Sequence, residues 1–278
     1  MTFTEHILTI QGKKAFYWKN DSQKKETIVF LHGFPGNHQG LLDLANELGQ
    51  NYTIIMPDLP GCGKSEALSG LHGLAAYAKW LEDFCVALSL EKPVILGHSF
   101  GSRLAAYFTA HYGNAVGSLV LLAPVAKIKG LLSSLGSLNY KLAKLMPEKI
   151  RKPYLANRLY QRFMFFVTFK SRDKAKKNEI MGQSMKEVVQ LTLKVQDEMF
   201  DDLHELDLIY YGEMILHDCL IIAGAKDEVA PLALVEAFAR RMKNASIHVV
   251  EGTGHLVPIE MPQKTAHLIH TWLVKRVL

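Results

Sequence analysis

The amino-acid sequence predicts an α/β fold: a mostly parallel central sheet with helices on both faces and a block of helices inserted after strand 6. Three observations carry this. Over residues 1–124 short apolar runs alternate with segments of helical spacing, the rhythm of βαβ units. Between 125 and 207 that rhythm stops, and no comparable buried strand is found. From 208 to 278 the alternation resumes. The expected organisation is one core, 1–124 with 208–278, interrupted by a helical cap at 125–207.

The elements follow in order. "HILTI" (6–10) and "KAFYWK" (14–19) read as two strands joined by a turn at Gly12. "ETIVFLH" (26–32) is a short β-branched apolar run, the signature of a strand buried on both faces. "HQGLLDLANEL" (38–48) places Leu41, Leu44, Ala45 and Leu48 on one helical face, and "YTIIMPD" (52–58) is again strand-like. "LAAYAKWLEDFCVAL" (74–88) is an amphipathic helix, "PVILGHS" (93–99) a strand, "FGSRLAAYFTAHY" (100–112) a helix and "SLVLLAP" (118–124) a strand. In the insertion, "SLGSLNYKLAKLM", "YLANRLYQRFMFFVTF" and "MKEVVQLTLKVQDEMF" read as helices. Strands at 218–227 and 246–252, with a helix at 231–242 between them, precede a final helix over 262–277, with Pro262 near its start.

Composition narrows the function classes. Hydrophobic residues are 49% and charged residues 21%, so a substantial core is affordable and disorder is excluded. The first residues have no basic start leading into an apolar run, and "LVLLAPVA" (119–126) is too short to span a bilayer. Cys62, Cys85 and Cys219 are odd in number, widely spaced and in no metal-ligand pattern. They read as free thiols of a reducing compartment, and a cytoplasmic location is expected. The charge is uneven: from Ala126 to Lys177 there are 14 Lys and Arg against two acids, Glu148 and Asp173, although the whole chain carries only +5.

The chemistry is concentrated at "GHSFG" (97–101). A serine between two glycines at a strand-to-helix junction is presented above the sheet edge, because the glycines let neighbouring backbone approach. The next N–H, that of Phe100, lies at a helix start, where it can donate to an oxyanion. A serine hydroxyl needs a base and an orienting acid. "EGTGHLVPIEMP" supplies His255 just after the last strand, and "LIIAGAKDEVAP" supplies Asp227 after the preceding one, with Glu228 as its neighbouring competitor. Both loops belong at the carboxyl ends of strands, where binding groups gather in open α/β sheets. His32 and His98 frame these motifs. Asp58 reads as a loop stabiliser. Lys64-Ser65 after Gly63 lacks P-loop spacing, and no His cluster has ligand spacing, so no cofactor or metal is expected.

Five segments in this order, "HGFPG" (32–36), "DLPGCGKSE" (58–66), "GHSFG", "GAKDEVAP" and "GTGHLVPIEMP", resemble the α/β-hydrolase superfamily over nearly the whole chain. The resemblance implies a serine hydrolase with a helical cap, a Ser99–Asp227–His255 triad, an oxyanion hole from the backbone N–H groups of Phe34 and Phe100, and an acyl-enzyme intermediate. Ser102 stands where the family often has glycine. The first loop lacks the glycine run of some lipases, which disfavours large triglycerides, and a serine at the elbow disfavours the branches with a carboxylate nucleophile.

The expected substrate is a small-molecule acyl compound, a small or medium carboxylic ester, thioester or lactone. Two alternatives stay open: a C–C bond or aminopeptidase-like hydrolase, since "HGFPG" has some likeness to the latter, and a low-turnover ligand-binding protein. Nucleic acid is disfavoured for want of a recognised module. The basic cap, with "FMFFVTF" (163–169) inside it, is either a solvated face packed on the core or a contact for anionic substrates or a membrane surface. Oligomeric state is not legible.

Overall fold

Eight strands form the centre of the molecule: β1 (Phe3–Ile10), β2 (Lys13–Asn20), β3 (Thr27–Leu31), β4 (Thr53–Pro57), β5 (Val94–His98), β6 (Ser118–Leu122), β7 (Cys219–Gly224) and β8 (Ala245–Val250). A computed structural model of the chain describes residues 1–278 other than 23, 25, 130 and 278, so residue 130 of the predicted insertion lies outside the described residues. The strand order is β1-β2-β4-β3-β5-β6-β7-β8. The β1–β2 and β2–β4 pairs are antiparallel, and β4-β3-β5-β6-β7-β8 are parallel.

The two-residue side-chain period divides each central strand between two cores. Val29, Leu31, Ile95, Leu119, Leu121 and Ile221 face one side. There they meet Phe84 of α2 (Leu74–Ala87, the helix after α1, Leu42–Leu48), Phe108 of α3 (Phe100–Tyr112) and, further along the chain, Phe238. Ile28, Phe30, Ile54, Leu96, Val120 and Ile222 face the other side, against Leu44 and Leu48 of α1 and Ile269 and Leu273 of the C-terminal helix. Strands covered on both faces must be apolar throughout, which is why they read as runs and not as alternations.

Between β6 and β7 lie α4 (Leu131–Lys144), α5 (Glu148–Leu155), α6 (Arg158–Thr168), α7 (Lys174–Gln190) and α8 (Leu193–Glu205). Two segments read from the sequence as single helices are broken. Asn157 accepts from Leu159 N–H and starts α6 after α5, and Thr192 accepts from Val195 N–H and starts α8 after α7. Short polar side chains that cap a following helix compete with helix continuation. The predicted helix at 38–48 begins as a 3₁₀ turn, His38–Leu41, before α1. After β7 come α9 (Leu232–Ala239), α10 (Val257–Glu260) and α11 (Pro262–Val277).

Arg103, on α3 and fully buried, ties both ends of the insertion to the core. Its Nη1 donates to Val125 C=O at 2.6 Å, where the chain leaves, and Nη2 donates to Leu206 C=O at 2.7 Å and Asp202 C=O at 3.2 Å, where it returns. Burial draws its pKa down to about 10, which leaves it cationic at neutral pH. All three cysteines are free and buried.

Candidate active site

Phe34 follows β3, Ser99 follows β5, Asp227 follows β7 and His255 follows β8, so all four lie beyond the carboxyl ends of parallel strands. Ser99 occupies the turn between β5 and α3 at φ 53°, ψ −114°, a conformation that a side chain rarely adopts. The turn is possible only because its flanks are glycine. A Cβ on Gly97 would stand 2.1 Å from Gly101 C=O, and one on Gly101 would stand 2.0 Å from Leu31 C=O. Ser99 N–H donates to Leu122 C=O at 3.0 Å, which locks the turn to β6. Ser102 has a place too: its hydroxyl lies 2.6 Å from Gly97 C=O and 2.8 Å from Leu122 C=O, bracing the same turn.

Three predicted residues come together in series. Ser99 Oγ lies 2.8 Å from His255 Nε2, and His255 Nδ1–H donates to Asp227 Oδ2 at 2.8 Å. The other Asp227 oxygen accepts from the N–H groups of Val229 and Ala230, each at 2.8 Å, so the carboxylate is fixed by its own loop. Glu228 turns instead to Lys170, at 2.9 Å. Phe100 is the first residue of α3, and its N–H is one of the helix-start donors without an intrahelical acceptor. Phe34 lines the same cavity as Ser99, and a Cβ on Gly33 would come within 3.1 Å of Ser99 Cβ, so this loop abuts the serine.

The framing histidines are buried and bonded to backbone. Burial, with His255 nearby, lowers His98 to about 4, and its Nε2–H donates to His255 C=O at 3.0 Å. His32 is also lowered by burial; its Nε2 accepts from Leu59 N–H at 3.0 Å. Both are therefore neutral at neutral pH and hold loops. Asp58 accepts from His38 N–H at 3.0 Å and Lys64 N–H at 2.9 Å; burial raises its pKa, but the hydrogen bond from His38 leads a group of opposing effects that leaves it lowered.

A cavity of about 750 Å³ opens above Ser99. Val125, Ile128, Leu155, Met164, Phe165 and Ile180 line it, with further residues from α4, α6, α7 and α8, so the insertion covers the serine. Several polar residues here have no motif to announce them. Glu187, on α7, is buried in the cavity wall near Gly36; burial raises its carboxyl to about 7, with Gln183 donating to it at 2.8 Å. Gln196 is fully buried, and its Oε1 has no hydrogen-bond partner among the described residues. In the sequence both look like ordinary polar positions of surface helices.

Glu260, within the quoted histidine motif but not singled out there, accepts from Gly254 N–H through Oε1 and from Lys170 N–H through Oε2, both at 2.9 Å, and from Ser171 N–H at 2.5 Å. His255 N–H itself donates to Thr168 C=O at 2.8 Å. The histidine loop is thus fastened to the C-terminal end of α6. Among the described residues there is no group of three or more His, Cys, Asp or Glu placed to hold a metal ion.

A family model described as alpha/beta hydrolase fold matches residues 26–262. The chain is 25% identical over 271 residues to monoacylglycerol lipase ABHD6 of Mus musculus, covering 90% of this chain and 76% of that protein. It is 26% identical over 268 residues to an uncharacterized protein of Mycobacterium tuberculosis, covering 88% and 74%. Among solved structures, an esterase of Thermogutta terrifontis superposes with a TM-score of 0.79 at 21% identity, covering 98% of each chain. The enol-lactonase of Burkholderia xenovorans superposes with a TM-score of 0.84 at 15% identity, covering 97% of this chain and 100% of that one.

Proposed function

The chain belongs to the α/β-hydrolase family, and from that premise we propose that it is a serine hydrolase cleaving a small or medium carboxylic ester through an acyl-enzyme. The observation that carries the reading is the unbroken hydrogen-bond series Asp227–His255–Ser99 at the floor of a largely apolar cavity. In this reading His255 takes the Ser99 proton as the hydroxyl attacks the ester carbonyl. Asp227 holds the imidazole with Nδ1 protonated and stabilises the imidazolium. The N–H groups of Phe34 and Phe100 receive the oxyanion. His255 then passes the proton to the departing alcohol, and water activated by the same imidazole releases the acid. Loss of one oxyanion donor typically raises such a barrier by about 3 kcal/mol.

The apolar wall formed by Val125, Ile128, Met164 and Phe165 suits an acyl chain, while Glu187 and Gln196 Oε1 suit hydroxyl donors on the substrate. The resemblance to a monoacylglycerol lipase supports testing esters of that kind beside simple ones. The experiment is a panel of nitrophenyl esters of increasing chain length, plus monoacylglycerols, with native enzyme and Ser99→Ala, and fluorophosphonate labelling of both. Native protein is expected to label and turn over, and Ser99→Ala to lose labelling and about 10⁴-fold or more in kcat/KM. Equal rates for the two proteins would overturn the reading.

A further inference from the structure

A second concavity, of about 410 Å³, lies between α6 and α7, apart from the cavity over Ser99. Four cations line it: Arg158 and Arg162 of α6, and Lys174 and Lys177 of α7. Among the described residues none of the four has an ion pair with an acid, whereas Lys144 nearby in the insertion pairs with Asp201 and Lys176, on α7 itself, with Asp43. Between Lys149 and Lys177 the one acid in the sequence is Asp173. Its carboxylate is engaged at the start of α7, accepting from Lys176 N–H at 2.9 Å. Four like charges are gathered around one hollow with no carboxylate paired to them among the described residues, Lys177 having only the Phe169 ring at 6.0 Å, an arrangement that a multiply bonded anion would relieve.

The hollow is also flanked by apolar surface. Leu159 is 76% exposed and Phe166 59% exposed. With Arg162 they stand at i, i+3 and i+7, one face of α6. Large exposed apolar side chains beside unpaired Arg and Lys are the pattern of an interfacial helix, whose apolar groups enter the boundary of the acyl chains while its cations meet headgroup phosphates. No helix among the described residues is long and apolar enough to cross a membrane, so any contact made here is peripheral.

We propose that the α6–α7 face docks on an anionic lipid surface, with Arg158, Arg162, Lys174 and Lys177 holding a lipid phosphate and Leu159 and Phe166 entering the headgroup layer. Charge complementarity selects the anionic bilayer as occupant, and the exposed leucine and phenylalanine favour it over a free anion. The docked helix is the one whose C-terminal end lines the cavity over Ser99 and accepts from His255 N–H, so docking would bring the cavity wall to the membrane. Lipid binding at this face does not depend on the esterase reading and can fail or succeed without it.

The test is co-sedimentation of the full chain with vesicles of phosphatidylcholine alone, or with roughly 30% phosphatidylglycerol, at about 0.05 M and about 0.5 M salt. The expected result is binding to the anionic vesicles at low salt, release at high salt and little binding to the neutral ones. A variant with Arg158→Gln, Arg162→Gln, Lys174→Gln and Lys177→Gln should bind at least about tenfold more weakly, since each charge near such a surface contributes about fivefold. Leu159→Ser with Phe166→Ser should weaken binding while leaving its salt dependence. Circular dichroism and a thermal melt report that each variant is folded, and Arg158→Gln with Lys177→Gln serves if the fourfold variant is not. No binding by the native chain, or native-like binding by the folded charge variants, overturns the proposal. So does a thermal shift with inorganic phosphate, lost in the charge variant, without vesicle binding.

Discussion

At the scale of single residues, the chemistry of this site depends on what burial does to each polar group. Glu187 illustrates it. Removal from water holds its proton in the folded chain up to about pH 7, whereas in the unfolded chain it ionises at its ordinary value near 4.5. The folded state therefore binds the proton more tightly. The stability this confers is complete at low pH and is lost as pH rises from the ordinary carboxylate range through about 7. Glu187→Gln removes the titration while keeping the shape. We expect the variant to gain up to about 3 kcal/mol relative to the native chain between about pH 5 and about pH 8, read by denaturant unfolding at both. An unchanged difference would mean that the carboxylate is solvated in the fold. The comparison must be with the native chain at each pH, because His98, lowered to about 4 by burial, acts in the opposite sense and costs stability as pH falls through the acid range. Ser99, Asp227 and His255 were legible because each sits in a local motif at a strand end. Glu187 and Gln196 were not, since nothing in their neighbourhood along the chain distinguishes a cavity wall from a wet helix face.

At the scale of elements, the C-terminal end of α6 and the loop before α10 behave as one piece. Gly254 permits it, because a Cβ there would stand 2.6 Å from Thr168 C=O. Glu260 seals the contact by accepting three backbone N–H groups from the two segments. Glu260→Ala leaves those donors without their acceptor in a part-buried place, at about 1 kcal/mol each or less where water reaches them. Because the loop carries His255, the expected loss falls on kcat, by about tenfold or more, with KM changed less. Glu260→Gln, which keeps one acceptor oxygen, should recover part of it. A fall in stability with kcat intact would show that the contact is only structural. The boundaries of α3 and α11 coincide with those read from the sequence, both being long amphipathic segments with clear starts. The helices of the insertion do not coincide, because Asn157 and Thr192 each cap a new helix while the apolar spacing runs through both breaks.

At the scale of the whole molecule, the question is how an insertion of five helices is held over a sheet edge it does not belong to. Arg103 answers much of it by hydrogen-bonding to carbonyls at both ends of the insertion from a fully buried place on α3. Arg103→Leu would leave Val125 C=O, where the insertion begins, and Leu206 C=O, where it ends, without their side-chain donor. An expected cost of about 3 kcal/mol or more should appear as a lowered first transition in thermal unfolding, accompanied by loss of ester turnover. A single transition displaced by less than a degree or two would refute that role. The parallel sheet, its interruption and the three chemical loops were determined by the sequence alone, since strand period, glycine placement and turn chemistry act over a few neighbouring residues. The tertiary structure alone decided what the insertion covers, which of its charges are paired and which of its polar side chains face the cavity. Those outcomes depend on contacts between residues far apart in the chain, such as Lys170 with Glu260 and Lys176 with Asp43, and no local pattern encodes them.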